Sequence, residues 1–188
     1  MGILAEPAQF VRSLKLPKGF SVCELGDQWI THGPRRLASE FYEELGCGRY
    51  VSIDGNGRGT FTHDLNIKWV HKWPPFDLVT DFGTGEHVFN QAQVWRTLHV
   101  LTKPRGYIVF DRPVSGYPEH GFYNIHETLL RDLAQANQYD VQRLERQTTT
   151  RGELLRGVFR KRYDSRFQIP QQGRYQKSLV IPQPMRPR

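Results

Sequence analysis

The stretch Phe20-Ser21-Val22-Cys23-Glu24-Leu25-Gly26 decides the fold. It is short, apolar at alternate and adjacent positions, and closed by glycine, the pattern of a buried strand running into a tight turn. Upstream, Pro7 stands where a first helical residue can stand, with Phe10, Val11 and Leu14 on one side. Downstream, Gly33-Pro34 opens a second helical pattern with Leu37, Phe41 and Leu45 on one face and Gly46 as its stop. Residues 50–54 read as a second strand, followed by the turn Gly55-Asn56-Gly57-Arg58-Gly59. Residues 60–65 and 76–80 read as strands three and four. Pro74-Pro75 forbids a regular element just before the fourth. A helix is predicted over 88–102, a doubly buried strand over 107–110, and a helix around Leu129, Leu130, Leu133 and Ala134. Runs at 139–144 and 154–159, separated by polar Gln147-Thr148-Thr149-Thr150, read as a hairpin.

Strands alternating with helices predict an α/β fold. Its sheet is doubly wound and mostly parallel, with helices on both faces and an antiparallel C-terminal hairpin strand. At 188 residues the chain fits one such domain, assigned to residues 1–165, followed by a basic Pro/Gln/Arg-rich tail over 166–188. Lys and Arg number 26 against 19 Asp and Glu, a net charge of +7. Residues 143–188 carry 12 basic against 3 acidic residues, so the surplus sits in the C-terminal quarter. Such asymmetry suits an anionic partner or a solvated tail. No apolar run is long enough to span a membrane, and the first twenty residues lack a secretory pattern. Cys23 and Cys47 cannot build a disulfide scaffold or a four-cysteine zinc site, so free thiols in a cytoplasmic setting are expected.

In an open doubly wound sheet, ligands bind beyond the carboxyl ends of the strands, where strand order reverses. Those ends carry acids in series: Glu24, Asp54, Asp64, Asp81 and Asp111. Asp54 comes 28 residues after Gly26, at the end of the second strand, where a carboxylate can accept both hydroxyls of a ribose. The competing reading is an aspartate that starts the turn before Gly55.

These residues resemble the class I S-adenosylmethionine-dependent methyltransferases, which have a Rossmann-like sheet. The resemblance covers roughly residues 18–162 and rests on the order of elements. It implies S-adenosyl-L-methionine as cofactor. Glu24, Leu25 and Gly26 would form the first loop, Asp54 and Gly55 would hold the ribose, and Asp64 and Leu65 would meet the adenine. Asp81, Phe82 and Gly83 would lie beside the transferred methyl. The segment Leu101-Thr102-Lys103-Pro104-Arg105-Gly106 is similar to the family's approach to strand five. The departure is in the first loop. The family's acid-x-Gly-x-Gly-x-Gly reads Glu24-Leu25-Gly26-Asp27-Gln28-Trp29-Ile30, with only the first glycine retained. The sequence G-x-G-x-x-G of dinucleotide folds and the P-loop are both absent.

Methyl transfer from a sulfonium is an in-line displacement with a neutral leaving group, so proximity carries much of the work. Candidates for proton removal from an acceptor are Glu86 and His87 after strand four and His120 in the loop after strand five. The commoner reading of each histidine is a structural one, as a loop or helix-end residue. No H-E-x-x-H or Cys/His cluster is present, and no metal is expected. Trp69, His71 and Trp73 alternate with Lys68 and Lys72, a pattern that either stacks bases or caps a core. The acceptor class stays open between a small molecule and a nucleic acid. The alternative to an enzyme is a methyltransferase-like binding or assembly module that contacts nucleic acid through the basic tail.

Overall fold

The computed structural model describes residues 2–174. The apolar stretch before Gly26 is a strand, Ser21–Leu25 (β2), buried at every position. It is preceded by Gly2–Ile3 (β1) and helix Ala5–Ser13 (α1). Two short strands, Trp29–Ile30 (β3) and Arg36–Leu37 (β4), form a small three-stranded sheet with β1. Helix Ala38–Glu44 (α2) follows. Gly33-Pro34 therefore makes a turn into β4 instead of opening the second helix, which begins one residue after Leu37.

The main sheet continues with Arg49–Asp54 (β5), Phe61–Thr62 (β6) and Phe76–Phe82 (β7). After a 3-10 turn at Gly85–His87 come helix Gln91–Leu101 (α3) and strand Thr102–Gly116 (β8). Helix Glu127–Ala136 (α4) and strands Tyr139–Thr149 (β9) and Gly152–Lys161 (β10) complete it. The seven strands lie in the order β6-β5-β2-β7-β8-β10-β9, parallel except for β10, which is antiparallel to both neighbours. Strand order reverses between β2 and β7. The hairpin differs from expectation in length: β9 and β10 run through the polar 147–149 segment and pair up to Gly152↔Thr149.

Alternate strand residues feed two cores. One holds Cys23, Leu25, Ile53, Val79, Ile108 and Phe110 against Trp95, Leu98, Leu130 and Leu133 of α3 and α4. The other holds Val22, Leu78, Val109 and Val158 against Val11 of α1 and Phe41 and Tyr42 of α2. The strip between β5 and β7 has no helix. A parallel pair ordinarily needs a crossover of about a dozen residues, but β5 reaches β6 through residues 55–60. Glycine makes this possible. Gly57 adopts φ +78°, and a Cβ at Gly59 would lie 2.9 Å from both the Asp54 nitrogen and the Ser52 oxygen. Thr60 and Ser52 then bond reciprocally, Ser52 N–H to Thr60 Oγ1 (2.7 Å) and Thr60 N–H to Ser52 Oγ (3.0 Å).

Trp69 and Trp73 fill the place of the missing helix. Trp69 is buried, and both pack edge-on against Phe61, at 5.9 and 4.6 Å. The alternation at 68–73 thus sets Trp69 and Trp73 against the core and turns Lys68 and Lys72 outward, as the core-capping reading expects. At the far end, Phe167 packs on His99, whose Nε2 meets the Ser165 carbonyl at 2.7 Å, and Gln168 N–H donates to Asn137 Oδ1. The chain is thereby fastened to α3 and α4 beyond β10. Most of the basic tail, from residue 175, lies outside the described residues. Among the described residues, no helix is long and apolar enough to cross a membrane.

Glu24 illustrates how strand alternation redirects a residue. Its side chain faces α2 and is fully buried, accepting from Tyr50 Oη (2.7 Å), Tyr42 Oη (3.3 Å) and Thr80 Oγ1 (3.4 Å). Burial pushes its pKa up to about 8, against the pull of these hydroxyls and helped by Asp27. Above the ordinary carboxylate value the unfolded chain has lost this proton while the folded chain keeps it. Stability should therefore fall as pH rises from about 5 to 8, by up to ~1.4 kcal/mol per unit. Glu24→Gln should flatten that slope, read from urea midpoints at pH 5, 6, 7 and 8; parallel profiles for the two proteins would contradict it.

Candidate functional site

The loops after β2, β5, β6 and β7 enclose a cleft of about 710 Å³ at the reversal of strand order. This is within the range of small-molecule and cofactor sites. From the first loop come Gly26, Asp27, Gln28 and Trp29, with Arg35 laid over the Trp29 ring at 4.4 Å. Asp54, Gly55, Asn56 and Arg58 follow β5, and Asp64, Leu65 and Asn66 follow β6. Thr84, His87 and Val88 come from the far wall.

Asp54 is oriented by backbone. Its Oδ2 accepts the Asp27 N–H at 3.0 Å and its Oδ1 the Asn56 N–H at 2.9 Å. Each oxygen retains a further lone pair for a ligand hydroxyl. Asp64 closes an Asx turn, with Oδ1 accepting both the Asn66 N–H and its side-chain amide, and these bonds lower its pKa. Gly26 turns at φ +83°, where a Cβ would strike Thr84 Oγ1 and the Gln28 amide.

Gln28 occupies the position of the second family glycine. Its buried Nε2 donates to Thr84 Oγ1 at 3.0 Å and to the Leu25 carbonyl at 3.5 Å, tying the ends of β2 and β7 together. Thr84 Oγ1 in turn donates to the same carbonyl at 2.8 Å. Gln28 Oε1 is buried and, among the described residues, has no hydrogen-bond partner.

The expected cofactor residues divide. Gly26, Asp54, Gly55, Asp64 and Leu65 line the cleft. The side chains of Glu24, Leu25, Asp81 and Phe82 do not, because β2 and β7 enclose them and their side chains point into the two sheet faces. Gly83 forms the turn after β7 at φ +82°.

Asp81 serves a different purpose. Its Oδ1 accepts the N–H groups of Thr84 (3.1 Å) and Gly85 (3.0 Å), and its Oδ2 pairs with the Arg112 guanidinium. Arg112, fully buried, also reaches Glu86 at 3.3 Å and lies 5.5 Å over Trp95. A Cβ on Gly85 would fall on the guanidinium, so only glycine fits there. Glu86 is buried and pushed up to about 7 by burial, against the pull of Arg112. Its other oxygen, Oε1, stands 3.6 Å from His120 Nε2. His87 and His120 meet edge to face at 4.8 Å. His87 is exposed on its cleft side, and partial desolvation on the other, then His120 and Arg112, lower its pKa. The three residues expected to act on an acceptor are thus one cluster at the rim of the cleft. Sequence reasoning assigned no role to Trp29, Arg35 or Arg58, and placed Asn56, Asn66 and Thr84 at strand ends without giving them one. The type of the polar ones offers no signal beyond that of ordinary polar loops.

No family model matches the sequence, and no curated protein matches it significantly. Solved structures do match the fold. The N-methyltransferase NodS from Bradyrhizobium japonicum WM9 superposes with a TM-score of 0.60 at 18% identity, over 84% of this chain and 95% of its own. The 1,6-didemethyltoxoflavin N1-methyltransferase of Burkholderia thailandensis gives 0.61 at 16% identity, over 85% and 78%. TehB from Haemophilus influenzae gives 0.62 at 12%, over 85% and 63%. The chain therefore has the Rossmann-like fold of the class I S-adenosylmethionine-dependent methyltransferases.

The charge network behind the cleft has a measurable consequence. Arg112→Ala leaves two buried carboxylates without their cation and should cost about 3–5 kcal/mol in urea denaturation. A variant as stable as the parent would show that Asp81 and Glu86 do not depend on it.

Proposed function

We propose that the protein transfers a methyl group from S-adenosylmethionine to an acceptor bound beside Glu86, His87 and His120. The observation that carries this reading is Asp54, a carboxylate held by two backbone N–H groups at the mouth of a cleft between the reversing strands. Asp54 takes the ribose hydroxyls, and Asp64 with Leu65 borders the adenine. The NodS and toxoflavin structures, each crystallised with S-adenosylhomocysteine, support the choice of cofactor.

The sulfonium supplies the methyl and leaves as a neutral thioether, so this chain's work is alignment and desolvation. Partial desolvation, with His120 and Arg112 nearby, lowers the His87 pKa and favours its neutral form, which fits proton acceptance from a hydroxyl or amine. Phe89 and Phe122, exposed by 72% and 68% with rings 6.2 Å apart, offer an apolar face next to this cluster. That favours a small acceptor with an apolar part. The basic tail remains the candidate contact for an anionic partner.

A second reading, a binding or assembly module without catalysis, is favoured by one observation: Gln28 fills the space that glycine leaves open in the family loop. Calorimetric titration separates the two. Binding of S-adenosylhomocysteine is expected, and Asp54→Ala should weaken it about 10–100-fold, the worth of hydrogen bonds to a charged group. No binding at millimolar ligand would select the module. Unchanged affinity in the Asp54 variant would refute the ribose assignment.

A further inference from the structure

We propose that Glu86, His87 and His120 form a binding site for a divalent transition metal at the rim of the cleft. Their donor atoms all lie within 4.8 Å of one another. Two imidazoles and a carboxylate are the donor set of zinc and related first-row metals with open positions for a ligand. A tetrahedral site with bonds of about 2.0 Å places donors about 3.3 Å apart, so modest side-chain rotation closes the group. The Glu86 Oε1 to His120 Nε2 separation of 3.6 Å is already near that value.

The surroundings supply what such a site needs. Arg112 occupies Glu86 Oε2 and leaves Oε1 turned toward the histidines, the orienting contact that metal-binding carboxylates ordinarily have. Two separate elements bring the donors together, and backbone fixes them. Phe122 N–H donates to the Glu86 carbonyl at 2.8 Å, and Gly121, at φ +71°, sits where a Cβ would meet Glu86 Cγ at 3.0 Å. Burial is graded: Glu86 is enclosed, His120 is partly open, and His87 is exposed and lines the cleft. A metal can enter from that side, and its open positions face the cleft. The spacing hides the site from sequence inspection, since His120 lies 33 residues beyond His87.

Metal binding stands on these donors alone. A role for the metal, holding an oxygen or nitrogen of the acceptor, rests on the methyl-transfer reading, and with metal bound His87 serves as a ligand in place of accepting the proton. The test uses the untagged full chain, stripped with chelator and titrated with zinc chloride by calorimetry. S-adenosylhomocysteine binding is measured on the same samples. One zinc per chain is expected, with a rise in melting temperature on zinc addition. His87→Ala and His120→Ala should each weaken zinc binding at least ~10-fold. His126→Ala, in a different pocket, should bind as the parent does. As a measurement independent of variants, zinc-edge absorption should show nitrogen and oxygen ligands with imidazole scattering. No zinc binding at ~100 μM, or binding that survives both cluster substitutions, overturns the site even if S-adenosylhomocysteine binds. Zinc binding without S-adenosylhomocysteine binding sustains the site and removes the cofactor reading.

Discussion

The guanidinium of Arg112 is the constraint on which the functional end of the sheet depends. It is wholly enclosed, with Asp81 on one side, Glu86 on the other and the Trp95 ring beneath. Enclosed charges are tolerated only when paired and hydrogen-bonded. Asp81 then has one oxygen left to seize the Thr84 and Gly85 N–H groups, which bends the chain out of β7. That bend presents Thr84 and His87 to the cleft and sets Glu86 opposite His120. The cleft wall is thus shaped by a charge pair behind it. A second enclosed pair, Arg156 bidentate to Asp111, lies on the opposite face of the sheet and braces β8 to β10.

Much of this was legible in the sequence, for a physical reason. Buried parallel strands need apolar runs bounded by turn residues, so Val22 to Leu25, Val51 to Ile53 and Ile108 to Phe110 announce themselves. Strand ends are less legible. Asp81 and Arg112 look like loop residues because they are charged, yet they continue β7 and β8; each is neutralised by the other across 31 positions of sequence. Single-residue chemistry cannot reveal such pairing. The same holds for Glu24, whose partners Tyr42 and Tyr50 sit on other elements. In the candidate site, Asp54 and Gly26 could be read from position alone. Gln28 could be read only as a missing glycine, since its bond to Thr84 joins two strand ends 56 residues apart.

The basic surplus also takes on a different meaning. Several arginines of the final hairpin are engaged within the molecule. Arg156 is spent on Asp111, Arg162 pairs with Asp140, and Arg146 lies near Glu127 and Glu153. Arg143 covers the Phe10 ring at 3.9 Å, and Arg160 covers Tyr107 at 5.7 Å. Their long stems and planar heads seal apolar surface as well as carrying charge. A net charge counted from the sequence therefore overstates what the hairpin offers to a partner.

The strand order carries a consequence for how the chain comes into being. The final strand, β10, lies between β8 and β9, so β9 has no neighbour until residues 152–161 have been made. On the ribosome the first five strands of the large sheet can assemble in order of synthesis, whereas β9 emerges with nothing to bond to. Completion waits on a late insertion that buries Leu155, Val158 and Phe159 in one step and sends Lys161 to the carbonyls of His99 and Thr102. A nascent chain halted before that point holds its longest parallel strand, β8, as an open edge, the kind of surface on which unfinished chains associate.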